Sequence, residues 1–166
     1  MIEPLRSGVE LLEDIRTATP GRGSLCVWWL GQSGYLLKSS AGLLVIDPYL
    51  SEHLSAKYEG TTKPHVRMTR APFRGAELGG VDLVLSSHKH SDHLDPGTMP
   101  GLLEASPEAR LALPRSLLEH ARSLGLPGAR AVGLDAGETV EVRGFSVRAI
   151  PSAHEGLDTD ERGHHL

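Results

Sequence analysis

A chain of 166 residues, 39% hydrophobic and 23% charged, is long enough for one domain with a sizeable core and too apolar for a disordered segment. Its formal net charge of -4 gives no general attraction for nucleic acid or anionic lipid, and no apolar run approaches the roughly 20 residues that span a bilayer. A single cysteine, Cys26, excludes an intramolecular disulfide, and the opening Met1-Ile2-Glu3-Pro4 has neither the basic nor the apolar stretch of a signal peptide, so the expectation is a soluble, cytoplasmic chain.

Ser7-Gly8-Val9-Glu10 has the spacing of a capping box, and Leu11, Ile15 and Ala18 follow at helical intervals, which predicts an amphipathic helix over 8–18, stopped by Pro20-Gly21. The apolar runs 25–30 and 35–38, separated by Gly31-Gln32-Ser33-Gly34, predict two adjacent strands joined by a turn, with Cys26 a buried, inert thiol in the first. Residues 43–46 predict a third strand, apolar enough for burial on both faces, that ends at Asp47-Pro48. Residues 51–75 show no periodicity; they read as a long, solvated surface loop carrying Lys63, His65, Arg67, Arg70 and Arg74 rather than as a phosphate site. A fourth buried strand, 81–85, runs straight into Ser86-Ser87-His88. Then come a short helix over 98–105, a strand over 110–113, and a helix whose Leu117, Leu118, Ala121 and Leu124 share one face and which closes at Gly125. Residues 139–142 and 145–150 alternate around Arg143-Gly144, a tight hairpin, and the last strand leads to Pro151-Ser152-Ala153-His154. The order implies a mixed α/β protein in which helices cover a largely β core.

Histidine is the outlier, with nine in the chain. His88-Lys89-His90-Ser91-Asp92-His93 places four ligand-type side chains in six residues at the exit of an apolar strand. If the strand stays extended to residue 90, His88 and His90 point the same way and chelate one ion. Asp92 and His93, on the following turn, then face a second ion roughly 3.5–4 Å away. Imidazole with carboxylate suits zinc; manganese and iron remain open on ligand type.

The motif His-x-His-x-Asp-His after an apolar strand resembles the signature of the metallo-β-lactamase superfamily. Trp29-Leu30-Gly31-Gln32-Ser33-Gly34-Tyr35, Ile46-Asp47-Pro48-Tyr49-Leu50 and His93-Leu94-Asp95-Pro96 are similar to the branch that contains ascorbate-6-phosphate lactonase. The resemblance spans about residues 25–165. It implies the N-terminal half of an αββα sandwich, a mixed sheet with flanking helices. It implies that His88, His90 and His154 bind one metal and that Asp92 and His93 bind a second, as Zn2+ or Mn2+. Asp47 reads equally as an Asp-Pro turn former and as the aspartate that orients ligands from behind. His164 and His165 read as near-terminal surface histidines. Family members continue into a second β-rich half with a Gly-Asp-Thr-like segment and a later histidine, so 1–166 is expected to be a single domain incomplete at its C-terminal end.

The activity so implied is metal-dependent hydrolysis of a lactone or small polar ester by a metal-activated hydroxide, with Asp92 holding or relaying its proton. A phosphodiesterase or phospholipase D-like hydrolase is the alternative among enzymes, and a catalytically incomplete product is the alternative outside them. The expected partner is a small-molecule substrate, with no nucleic acid and no membrane. Self-association would hide any sheet face left bare.

Overall fold

The computed structural model describes residues 1–152 and 156–165. In chain order it contains α1 (Gly8–Thr17), β1 (Cys26–Gly31), β2 (Gly34–Ser39), β3 (Gly42–Ile46), α2 (His53–Lys57), β4 (Leu83–Leu85), α3 (Met99–Ala105), β5 (Arg110–Pro114), α4 (Leu118–Ser123), β6 (Ala131–Leu134), β7 (Thr139–Val142) and β8 (Phe145–Arg148). Strands β1 to β6 form one six-stranded sheet whose spatial order repeats the chain order, and β7 and β8 form a separate hairpin. β1, β2 and β3 pair antiparallel, whereas β3, β4, β5 and β6 run parallel. The sheet is therefore mixed, with helices in the connections between its parallel strands, as the α/β reading expects. Among the described residues, no helix is long and apolar enough to cross a membrane.

Side-chain alternation sorts the sheet into two faces. Leu30, Leu36, Val45, Val84, Leu111 and Leu113 point to one face, where Leu11 and Ile15 of α1, Met99, Leu102 and Leu103 of α3 and Ala121 of α4 complete the main core. Two sheet side chains hold α1 in place. Trp28 Nε1 donates to Asp14 at 2.8 Å, and Lys38 Nζ donates to the carbonyls of Ile15 at 2.7 Å and Arg16 at 3.0 Å. Lys38 thus puts a cation on carbonyls that the last turn leaves unpaired. The expected capping box does not form. Ser7 makes no side-chain cap bond, and the Gly8 N–H donates instead to the carbonyl of Pro72.

The other face is only partly covered. Leu83, Ala112, Leu44, Leu85 and Leu134 pack there against Val140, Val142, Phe145 and Val147 of the hairpin. Its two-residue turn, Arg143-Gly144, has positive φ at both positions (49° and 81°), the backbone twist that suits a right-handed strand pair. The cover stops short of β1 and β2, where Val27, Trp29 and Tyr35 remain exposed. Full burial of β3 on both faces is accordingly corrected: Leu43 and Val45 are buried, but Leu44 and Ile46 are half-buried. Cys26 is half-buried too, being the first residue of a strand at the edge of the sheet. The sequence pattern also missed β6, whose Ala-Val-Gly-Leu carries little strand signal, and α2, a single short helix inside the 51–75 stretch.

Candidate functional site

The parallel strands β3 and β4 deliver their following loops to the same end of the sheet, the end at which open α/β sheets usually bind ligands. At the exit of β3, Asp47 adopts φ 45°, a left-handed conformation that costs a residue with a Cβ roughly 1–2 kcal/mol. Its N–H still donates to the Leu85 carbonyl at 2.9 Å, so the ladder with β4 persists while the side chain turns over the exit of that strand. There the buried carboxylate accepts from the Ser87 N–H (2.7 Å), the Ser87 hydroxyl (2.7 Å) and His93 Nδ1 (2.8 Å). Burial pushes the Asp47 carboxyl up, but the hydrogen bonds from His93 and Ser87 prevail and hold it below the usual aspartate range. Burial pushes His93 down, and its hydrogen bond and attraction to Asp47 outweigh this and raise it. With Nδ1 donating to Asp47, the neutral His93 ring carries its free lone pair on Nε2. Asp47 thus both turns the chain at the end of β3 and bonds the His93 ring.

β4 ends at Leu85, and residues 88–93 form bends and a turn, so the extended strand expected to reach residue 90 is not there. The physical reason is local. The N–H groups of His93 and Leu94 both donate to the His90 carbonyl, which closes the chain into a tight turn. The imidazoles meet all the same. His88 Nε2 lies 3.0 Å from His90 Nδ1, and the His88 ring centroid is 4.7 Å from that of His90 and 4.0 Å from that of His93. On the far side, Asp92 Oδ2 lies 3.8 Å from His93 Nε2. The four motif side chains thus gather in one cluster, with His88 against both His90 and His93 and Asp92 beside His93. Among the described residues no group of three or more His, Cys, Asp or Glu side chains converges on one ion position. His154, expected as the third histidine beside His88 and His90, lies outside the described residues.

Behind the motif is a polar frame that sequence reasoning did not assign. Asp95 is fully buried and accepts from the Ser51 hydroxyl, the Gly97 N–H and the Thr98 hydroxyl, while the Leu50 N–H donates to Thr98 Oγ1 at 2.9 Å. This staples the loop after β3 to the loop after β4. Arg67, expected in a solvated loop, is instead 1% exposed. Its guanidinium donates to the carbonyls of Thr69, Ser51 and Tyr49 and stacks over the Tyr49 ring at 4.6 Å. The planar fork satisfies three backbone acceptors at once, which offsets the burial of a cation that has no carboxylate hydrogen-bonded to it among the described residues. Ser33, in the β1–β2 turn, donates to the Asp92 carbonyl at 3.0 Å. A hydroxyl next to the histidine motif was a visible signal for Ser87; nothing in the sequence pointed from Ser33 to Asp92.

A cavity of about 270 Å³ opens beside Ser86 and Ser87, walled mainly by Ile46, Leu85, Leu134 and Val147. His165 also lines it, and its carbonyl accepts from the Ser116 hydroxyl at 2.7 Å. His164 Nδ1 lies 2.9 Å from Asp135. Both histidines are half-buried, so the expectation of plain surface histidines is corrected.

A mixed sheet with helices packed on one face and a histidine–aspartate cluster beyond the ends of its parallel strands defines an α/β domain built to present metal-ligand-type side chains from two adjacent loops. Residues 26–165 match the family model described as "Beta-lactamase superfamily domain". The chain belongs to this superfamily. An uncharacterised protein of Mycobacterium tuberculosis (strain H37Rv) is 33% identical over 130 residues, which cover 78% of this chain and 34% of the relative. A probable L-ascorbate-6-phosphate lactonase of Escherichia coli O127:H6 is 24% identical over 160 residues, covering 86% of this chain and 45% of that protein. The chain therefore spans between a third and a half of the length of these relatives. Among solved structures, the di-iron β-hydroxylase CmlA of Streptomyces venezuelae shares the fold with a TM-score of 0.57 at 23% identity, over 89% of this chain and 27% of that one.

Proposed function

We propose that this chain carries the metal-binding part of a metal-dependent hydrolase that acts on a lactone or small polar ester. The observation that carries the reading is the 3.0 Å approach of His88 Nε2 to His90 Nδ1. Two nitrogens about 2.0–2.1 Å from one tetrahedral zinc lie roughly 3.3 Å apart, so the pair needs to open by only a few tenths of an ångström to share an ion. In this reading His88, His90 and His154 hold one ion, and Asp92 with His93 holds a second. Imidazole and carboxylate suit zinc and tolerate manganese or iron. A divalent ion bound there supplies a Lewis acid and a water of lowered pKa.

The chain's own residues do the rest. Asp47 fixes the tautomer and tilt of His93 through Nδ1, which directs Nε2 toward the second ion. Ser87 holds Asp47 from the other side. The Asp92 carboxylate supplies negative charge beside His93 and is placed to hold the proton of an attacking water. The neighbouring cavity, with largely apolar walls, leaves room for a small substrate. The lactonase named among the relatives supports a lactone or ester as the substrate class.

A second reading is favoured by one observation: only Asp92 and His93 face the second ion position among the described residues. Two protein ligands hold an ion loosely, and the chain alone would then bind metal without turning over substrate. One experiment separates the readings. The protein is prepared with zinc or with manganese, its bound metal is counted, and lactone, ester and phosphodiester hydrolysis are assayed before and after chelation. Chelator-sensitive lactone or ester hydrolysis supports the hydrolase, whereas bound metal without turnover supports the second reading. A protein that retains no metal sinks both.

A further inference from the structure

We propose that Ser33 is a positioning residue for the Asp92–His93 half of the site, acting through the backbone of Asp92; this rests on the metal reading above. The hydroxyl of Ser33 donates to the Asp92 carbonyl at 3.0 Å across 59 residues of sequence. Among the hydrogen bonds of the described residues, it is the one that joins the β1–β2 turn to the 88–93 loop. What makes it a positioning contact is the rigidity of its base. Gly31 has φ 87° and Gln32 has φ 52°, so the turn is built from consecutive left-handed residues. A Cβ on Gly31 would meet Thr69 Oγ1 at 2.5 Å, and one on Gly34 would meet the Asp47 carbonyl at 3.3 Å. The turn is thus seated against the 67–69 segment on one side and the exit of β3 on the other. Two further bonds fix its middle. Trp29 Nε1 donates to the Gln32 carbonyl at 3.0 Å, and the Thr69 hydroxyl donates to Gln32 Oε1 at 3.4 Å.

The loop it reaches is held at several points. His93 is fixed through its ring by Asp47, and the His93 and Leu94 N–H groups are fixed by the His90 carbonyl. The Asp92 carbonyl shares one planar peptide with the His93 N–H, so Ser33 holds at its carbonyl end the peptide that the His90 carbonyl holds at its N–H end. Rotation of this peptide swings the Asp92 carboxylate relative to His93 Nε2, the two atoms now 3.8 Å apart. Losing the anchor should therefore loosen the ion shared by Asp92 and His93 and leave the His88–His90 pair alone.

The test compares wild type with Ser33→Ala and Ser33→Thr. Zinc affinity is read by competition with a chromophoric chelator. Occupancy of each half is read by the zinc-induced shifts of the His90 and His93 ring nitrogen signals, and thermal midpoints are measured on the metal-free proteins. The expected result for Ser33→Ala is roughly tenfold weaker binding at His93, the low end for support contacts behind a ligand. Binding at His90 and the midpoint should be unchanged, and Ser33→Thr, which keeps the hydroxyl, should restore the loss. Equal weakening at both rings, a loss not restored by Thr, or Ser33→Ala binding like wild type overturns the positioning role. Wild-type protein that binds no ion through His93 overturns the metal reading and this inference together, and differs from the other outcomes because wild type itself fails.

Discussion

The two faces of the six-stranded sheet use the same strands and much the same residue types, yet they end in different states. On the helix face Leu36, Val45, Val84 and Leu111 are 0% exposed, closed in by α1, α3 and α4. On the hairpin face Leu83 is equally buried, but Val27 and Trp29, both three strands away on β1, stay 55% and 57% exposed. An apolar strand residue is thus assigned to a face by its place in the alternation. Whether it meets protein or water is decided by the element packed above it. The site loops belong to neither regime. They are held by a few bonds among Asp47, Ser87, His93, Asp95 and Ser33, and so respond to chemistry that the core would ignore.

The comparison is broken most sharply by truncation on the closed face. Leu111→Ala should cost about 2–5 kcal/mol, because the helices above it cannot collapse fully into the space left. A denaturant midpoint that barely moves would show that the helix face is looser than its burial implies. In the loops, Asp47→Asn keeps the shape of the side chain but removes the charge that His93 answers. Metal affinity should fall roughly 10–100-fold while the fold survives, measured by zinc competition alongside circular dichroism. Unchanged affinity would leave Asp47 as a turn residue only.

Smaller effects come with pH in the metal-free protein. Asp47 is held below its ordinary value, so its contribution is present above the unfolded pKa of about 3.9 and is lost as pH falls through the folded one. His93 is raised, so its contribution is complete below the unfolded pKa of about 6.5 and is lost as pH rises through the folded one. The pair should stabilise most between about pH 4 and 6.5. The advantage of wild type over Asp47→Asn in chelator should therefore peak in that window, and an advantage that is flat with pH would contradict the coupling. Smallest of all is Val27→Thr on the open face, expected within about 0.5 kcal/mol of wild type. A loss as large as that of Leu111→Ala would show that something covers β1 in solution.

Strand positions were legible because apolar runs bounded by Gly and Asp-Pro leave few alternatives, and 34–39, 42–46 and 139–142 fall where the pattern put them or within a residue or two. β6 was not legible, since Ala-Val-Gly-Leu owes its pairing to β5 rather than to its own composition. The burial of Arg67 was hidden for a related reason: its partners are carbonyls, which every residue possesses, and only the fold brings those of Tyr49, Ser51 and Thr69 together. The meeting of His88 and His90 was foreseen on geometry that the structure does not use. A turn, not an extended strand, brings their rings together, because side chains two apart in a tight turn can meet as readily as those on one side of a strand.

The agreement between spatial order and chain order across β1 to β6 bears on how the protein is made. Each strand, as it leaves the ribosome, finds its partner already present as the most recently placed edge. No strand need wait for a later one or thread between two earlier ones, so synthesis from the N-terminus and growth of the sheet proceed in the same direction. The helix face can close behind that advancing edge, and the residues that hold Asp47, Leu85 and Ser87, are synthesised before His93, the histidine it bonds.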